Sequence, residues 1–190
     1  MSSRGFQLIE NYIYFYHLDK YCVVPVYPER ISDTILANFS QTTALGRSAP
    51  IFTYNSSGPR SITFNFALHR DLMSDIDMVG NNFNLPNNSD IIEELVHSIQ
   101  AIALPKYNAT AKSVNPPMIA VRIGNEVYIK GVVTGAVSVE YSGPIIRDRL
   151  YAVCNLSFTV SEVDPYDAEA VRSIGSFRGL SKTVENKVWG

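Results

Sequence analysis

From Ser61 to His69 the apolar residues Ile62, Phe64, Phe66 and Leu68 alternate with Ser61, Thr63, Asn65, Ala67 and His69. A period of two over that length predicts a strand with one buried face. A run of small turn-formers, Asn55 to Pro59, precedes it, and Pro59, which has no N–H to donate to a central ladder, belongs at the start of the strand. The second clean alternation is Leu150, Ala152, Cys154, Leu156, Phe158 and Val160 against Tyr151, Val153, Asn155, Ser157, Thr159 and Ser161. At about twelve residues it exceeds the usual strand of ~5–6. Shorter strands are predicted over 31–42, led by Ile35, Ala37 and Phe39, and over Ile51–Tyr54, Met118–Ile123, Glu126–Val133 and Ala136–Tyr141. Gly124-Asn125 reads as a hairpin turn and Gly131 as a bulge or bend.

One segment changes period. Ile91, Ile92, Leu95, Val96, Ile99, Ile102 and Ala103 form a stripe at helical spacing, with Glu93, Glu94, His97, Ser98 and Gln100 on the wet side. Ser89 or Asp90 can cap this helix, Glu93 completes a capping box, and Pro105 ends it. The stretch from Ser74 to Asn88 reads as loop. Strands, one helix and more strands predict a mainly β (α+β) fold: an antiparallel sandwich or barrel with one packed helix and extended terminal arms. Residues 1–24 form an aromatic arm, 25–167 the β domain and 168–190 an extended tail. In the arm, Tyr12, Tyr14 and Tyr16 fall on one side of a strand and Ile13 and Phe15 on the other. Both faces are apolar, so this strand lies either inside the domain or against another chain. The expectation favours the neighbour: strand addition for the arm, and groove anchoring for the tail through Ile174, Phe177, Leu180, Val188 and Trp189.

Composition sharpens this picture. Of 190 residues, 46% are hydrophobic and only 18% charged, below the ~25% of ordinary domains. Eleven Tyr and nine Phe fit an interface-rich surface or an ordinary aromatic β-core. A net charge of −2 without a basic cluster argues against general nucleic-acid binding. Cys22 and Cys154 make neither a disulfide framework nor a CxxC pair. The N-terminal residues lack the apolar core of a signal peptide, and no stretch approaches the ~20 apolar residues of a membrane span. The expectation is therefore a reducing cytoplasm or a particle assembled there, without membrane insertion.

The candidate chemistry is thin. His69-Arg70-Asp71-Leu72 mimics a kinase catalytic loop, but the position five residues after the Asp holds Ile76, not Asn. His17, His69 and His97 share no zinc spacing. Asp71, Asp75 and Asp77 lack the Gly and Glu of a calcium loop. Glu93 and Glu94, adjacent on a helix, point in different directions and do not make a glycosidase pair. The expectation is no catalytic residue, no metal and no cofactor.

The stretches TALGRSAPIFTYNSSGPRSITFNFALHRDL, IIEELVHSIQAIALPKY, NPPMIAVRIGNEVYIKGVV and SFTVSEVDPY, in this order, resemble inner baseplate or hub proteins of contractile bacteriophage tails and related injection machines. Gly58-Pro59-Arg60, Leu104-Pro105, Pro116-Pro117-Met118 and Asp164-Pro165-Tyr166 carry the likeness, over about residues 24–170. The resemblance implies a fold of tail-tube type and a structural role in the virion at the tube–baseplate junction. It implies partners of three kinds: copies of itself in a ring, hub and tube proteins, and wedge proteins. Nucleic-acid contact through base recognition is not expected. Relatives with a LysM module bind peptidoglycan, a property not expected of this chain. A tail-tube or tail-completion protein of the same machine is the alternative, and a carbohydrate-binding β-sandwich is a third.

Overall fold

The computed structural model describes residues 11–24, 26–28, 30–71, 91–108, 112–115, 117–124, 127–146, 149–163 and 168. Eleven strands and one helix are found among them: β1 (Asn11–Phe15), β2 (Lys20–Val23), β3 (Ile31–Thr34), β4 (Ala37–Thr42), β5 (Ile51–Ser57), β6 (Ser61–His69), α1 (Ile91–Ile102), β7 (Lys106–Asn108), β8 (Ser113–Asn115), β9 (Ile119–Ile123), β10 (Val127–Ile145) and β11 (Tyr151–Glu162). Seven strands form one sheet in the order β2-β1-β9-β10-β11-β6-β3, and every pairing is antiparallel. The protein is thus mainly β with one packed helix, as the two periodicities predict. The sheet is open in its hydrogen bonding, with β2 and β3 as edges, and two small hairpins, β4–β5 and β7–β8, stand outside it.

The alternation in β6 and β11 becomes the core. Ile62, Phe64, Phe66 and Leu68 are buried, as are Cys154, Leu156, Phe158 and Val160 on the facing strand. The ladder sets Phe64 opposite Phe158 and Phe66 opposite Leu156. The Phe64 and Phe158 rings lie 5.5 Å apart, and Phe66 and Phe158 6.1 Å apart. Helix α1 lays Ile92, Leu95, Val96, Ile99 and Ile102 into the same cluster. The apolar stripe ends at Ile102, because Ala103 is exposed in the turn that follows. Ser98, expected on the wet side, is buried; it sits three residues after Leu95 and four before Ile102, on the face they share. The Ile91 side chain and the caps at Ser89 and Asp90 lie outside the described residues.

The N-terminal strand lies inside the domain. β1 pairs with β2 on one side and β9 on the other, and Tyr12, Ile13, Tyr14 and Phe15 are all buried. Of the two readings for a strand apolar on both faces, the domain interior is the one found for residues 11–24. Ile13 and Phe15 join the helix-covered core. Tyr12, Tyr14 and Tyr21 form a second cluster with Ala120 on the opposite face, flanked by Tyr16 and Tyr128. There the Tyr14 hydroxyl donates to Asp19 (2.6 Å) and the Lys130 ammonium lies 5.9 Å from the Tyr16 ring centre. Residues 1–10 and the anchors of the 168–190 tail lie outside the described residues.

Three further boundaries differ from expectation. The single strand over 31–42 is two, because β3 joins the main sheet through β6 while β4 turns out to pair with β5. Asn55, Ser56 and Ser57 belong to β5 rather than to a turn. Residues 127–145 are one strand, not two, since bulges after Thr134 and Ser142 absorb the breaks. Gly135 and Gly143, both with positive φ, sit in those bulges. Gly131 is not a bulge. It lies in register with Glu162, and a Cβ there would run into the Ser161 carbonyl, so glycine allows β10 and β11 to approach closely.

Arg60, the last residue of Gly58-Pro59-Arg60, ties three strands together. Its Nε donates to both Asp33 carboxylate oxygens at 2.9 Å, its Nη2 to Oδ2 at 2.6 Å and its Nη1 to the Tyr128 carbonyl at 3.2 Å. Glu162 Oε2 lies 3.7 Å from Nη1, and the Glu162 amide donates to the Arg60 carbonyl at 2.8 Å. The Arg60 and Glu162 side chains are 8% and 10% exposed, whereas Asp33 is 42% exposed. Loss of the guanidinium would therefore remove a cation from beside a buried carboxylate and a forked contact from Asp33, the costly way to break an ion pair.

Two consequences are measurable by chemical denaturation. Leu95→Ala should lose about 2–5 kcal/mol through transfer and cavity terms; no change in midpoint would show that α1 does not cover the sheet. Arg60→Ala should lose about 3 kcal/mol or more, with Arg60→Lys recovering only part because it cannot reproduce the forked contact with Asp33. A Lys variant as stable as the wild type would refute the three-strand tie.

Candidate interaction surface

Beyond its bulge, the longest strand has a neighbour on one side only. β9 pairs with β10 from Val127 to Gly131, and from Val132 to Ile145 the only partner of β10 among the described residues is β11. This stretch of β10 is therefore an open sheet edge; β11 keeps β6 on its other side as far as Val153, and only the hairpin tip beyond Ser142 and Val153 overhangs the sheet. Tyr141, Ile145 and Tyr151 near its tip are 50%, 62% and 45% exposed, and the two tyrosine rings stack at 6.3 Å. A free edge of this kind is a template for strand pairing, and bulges are the common device that limits such pairing.

The second surface is the β4–β5 hairpin, every strand residue of which is exposed. It leaves the main sheet through Ile35-Leu36 and returns at Gly58, whose amide donates to the Leu36 carbonyl at 2.7 Å. Phe39, Phe52 and Tyr54 project from it, with Leu45 at its tip. A smaller apolar group, Leu104, Tyr107 and Val114, is exposed at β7–β8.

The polar face of the sheet divides in two. At one end the hydroxyls satisfy one another: Ser61 with Ser161 at 3.0 Å, Ser161 with Thr134 at 2.8 Å and Thr63 with Thr159 at 2.9 Å. At the other, Arg30, Asn65, Ser138, Glu140, Asn155 and Ser157 border an open depression of about 650 Å³. These are hydrogen-bonding groups without a nucleophile–base pair among them.

The residues weighed for chemistry do not converge. His69 ends β6 and is exposed, His97 is exposed on α1, and His17 lies in the β1–β2 turn. Arg70 is buried and donates from Nε to the Tyr151 carbonyl at 2.7 Å, so it fastens the end of β6 to the start of β11 near the hairpin tip. Asp71 is exposed, Glu93 and Glu94 are half-buried on α1, and Asp75 and Asp77 lie outside the described residues. Among the described residues no group of three or more His, Cys, Asp or Glu is placed to hold a metal. Cys22 and Cys154 are buried, and burial raises both thiol pKa values. The exposed β4–β5 face was not foreseen; the alternation Phe39-Gln41 against Phe52-Tyr54 was the available signal.

His17 has a lowered pKa. Both ring nitrogens are shut off from solvent without a hydrogen-bond partner among the described residues. Burial, and then the nearby Lys106 ammonium, hold its pKa below 6.5. Below 6.5 the unfolded chain takes up a proton that the folded chain refuses. The stability tied to neutral His17 is thus complete above pH 6.5 and is lost as pH falls from there towards the lower folded value. Thermal melts between pH 7 and 5.5 should show a steeper decline for the wild type than for His17→Gln; parallel curves would rule this out.

Comparison with protein-family models and with curated proteins returns no match.

Proposed function

We propose that this chain is a structural component of a contractile phage-tail baseplate, placed at the tube–baseplate junction in a ring of its own copies. It ties hub and tube rings to the surrounding wedge proteins. The observation that carries the reading is the open edge of β10 from Val132 onwards, with a stacked tyrosine pair near the overhanging tip of the β10–β11 hairpin. A ring subunit requires such a feature, because lateral contacts have to be made by backbone and side chains its own core does not use. The resemblance carried by Gly58-Pro59-Arg60 supports the same reading, and the finer expectation of a tail-tube type of fold belongs with it. Arg60 gives that motif a physical role as the tie between β3, β10 and β11.

The polar depression beside Asn65 and Asn155 is the observation that favours a second reading, carbohydrate binding, since amides and hydroxyls on a rigid sheet suit a polyol. The aromatic residue in its lining, Phe66, has its side chain buried in the core and offers no platform.

Electron cryomicroscopy of complete tail particles tests the assignment. Density for a ring of this chain where the tube meets the baseplate is the expected result. Density repeated along the tube would favour the tube-protein alternative, and particles without the chain would end the proposal. Titration calorimetry with neutral oligosaccharides should give no saturable heat; saturable binding abolished by Asn65→Ala and Asn155→Ala would favour the carbohydrate reading.

A further inference from the structure

The β4–β5 hairpin is amphipathic. The register sets Phe39 opposite Tyr54 and Gln41 opposite Phe52, so these four side chains share one face. The Phe39 and Tyr54 rings meet edge to face at 5.5 Å. Ile35, Leu36, Phe39, Leu45, Phe52 and Tyr54 nevertheless expose more than half of their surface each. A two-stranded hairpin with nothing over it is marginal in water at best, so this face calls for a cover.

The place where the chain leaves the sheet points to one. The ladders set Thr34 opposite Ser61 and Ser61 opposite Ser161. The end of β3, the start of β6 and the end of β11 thus lie at the same end of the sheet. The hairpin is rooted there, through the bond from the Gly58 amide to the Leu36 carbonyl at 2.7 Å. The Glu162 amide donates to the carbonyl of Arg60, two residues beyond Gly58, at 2.8 Å. Residues 164–190 therefore set out from Val163 beside the hairpin root. Their sequence carries Val171, Ile174, Phe177, Leu180, Val184 and Val188 at every third or fourth position, the spacing of a single apolar stripe, with Trp189 next to the last.

Reach favours this segment over a neighbour's. Ile174 comes eleven residues after Val163, and a flexible link of that length spans about 17–20 Å. Phe39 and Tyr54 stand roughly 10–13 Å along their strands from the root. A tether of this kind acts as a local concentration in the millimolar range, which the tail of another copy does not match in dilute solution. Charge takes no part. Arg47 is the one charged residue from 37 to 57, and residues 171–189 hold Arg172, Arg178, Lys182 and Lys187 against Glu185. At the root, Asp33 and Arg60 already pair with each other. The contact has to be apolar. The other exposed apolar groups are less well placed. Tyr141, Ile145 and Tyr151 lie at the far end of β11, and Leu104, Tyr107 and Val114 belong to the hairpin that leads into β9, two strands away from β11.

We propose that residues 171–189 fold back over the aromatic face of β4–β5 in the same chain, with Ile174, Phe177 and Leu180 against Phe39, Phe52 and Tyr54. Apolar pattern alone assigns these anchors to a neighbour's groove; the exit at Val163 offers them a nearer surface. The claim concerns the chain by itself and stands apart from the baseplate reading.

Disulfide trapping in the full chain tests it. Cys22 and Cys154 are buried, so introduced thiols are the ones that react. Gln41→Cys, which leaves the aromatic residues in place, is combined in turn with Ile174→Cys, Phe177→Cys and Leu180→Cys. Under mild oxidation at micromolar concentration, at least one pair should close within a chain about tenfold or more faster than the same tail cysteines close with Tyr107→Cys. The yield should not depend on chain concentration or on salt. Trp189 is the only tryptophan, so Phe177→Trp/Trp189→Phe moves the fluorescent probe to the middle of the stripe. Its emission should lie to the blue of free tryptophan and shift to the red when Phe52→Ser/Tyr54→Ser is added, with circular dichroism unchanged. Trapping chiefly between chains, trapping at Tyr107→Cys as fast as at Gln41→Cys, no trapped pair, or an emission that the hairpin variants leave in place would each overturn the proposal.

Discussion

The ladder between β6 and β11 is the constraint on which the rest of the structure depends. Nine consecutive pairs, from Ser61–Ser161 to His69–Val153, run without a register break. A slip of one residue would turn Phe64, Phe66, Leu156 and Phe158 to the polar face and bring Thr63, Asn65, Ser157 and Thr159 into the core. The hydroxyl pairs on the far face, Ser61 with Ser161 and Thr63 with Thr159, reinforce the same register from the other side. Because the register is held from both faces, the apolar side of these strands is a fixed surface, and α1 has one place to bury its stripe.

Around that ladder the connections follow from covering and clamping. β3 is four residues long and exposed along most of its length, so it has little apolar area with which to hold an edge. Asp33 compensates through its forked contact with Arg60. The same guanidinium reaches the β10 backbone and approaches Glu162 on β11, so the strand-edge tie and the central ladder share one residue. Glycine at 131 lets β10 come close to β11 at the point where β10 leaves β9 and becomes an open edge of the sheet.

Stability and interaction are thereby kept apart in the chain. The helix-covered cluster holds the packing aromatics Phe15, Phe64, Phe66 and Phe158, and the tyrosines of β1 and β2 fill the opposite face. Of the exposed aromatic residues, Phe39, Phe52 and Tyr54 belong to the β4–β5 hairpin outside the sheet, Tyr141 and Tyr151 to the tip of β10–β11, Tyr107 to β7–β8, and Tyr27 to the segment between β2 and β3. Low charge content and high aromatic content thus have two causes here. An ordinary β-core accounts for the first group, and apolar hairpin surfaces account for the second.

Periodicity by itself determined β6, β11 and α1, because alternation and helical spacing are local properties that burial on one face imposes directly. It also determined that β1 has two apolar faces. Only the tertiary structure decided whether those faces meet this chain or another, since a strand with two apolar sides satisfies either arrangement equally well. The same limit explains the other differences. Nothing local separates β3 from β4, because that break depends on each strand finding a different partner. Bulges let β10 run through Gly135 and Gly143, where the sequence shows only breakers. Ser98 is buried by its position on the helix despite its polarity. Arg60 stood in plain view as part of a motif, but its role required Asp33, Tyr128 and Glu162, residues up to 102 positions away, to be brought to one point.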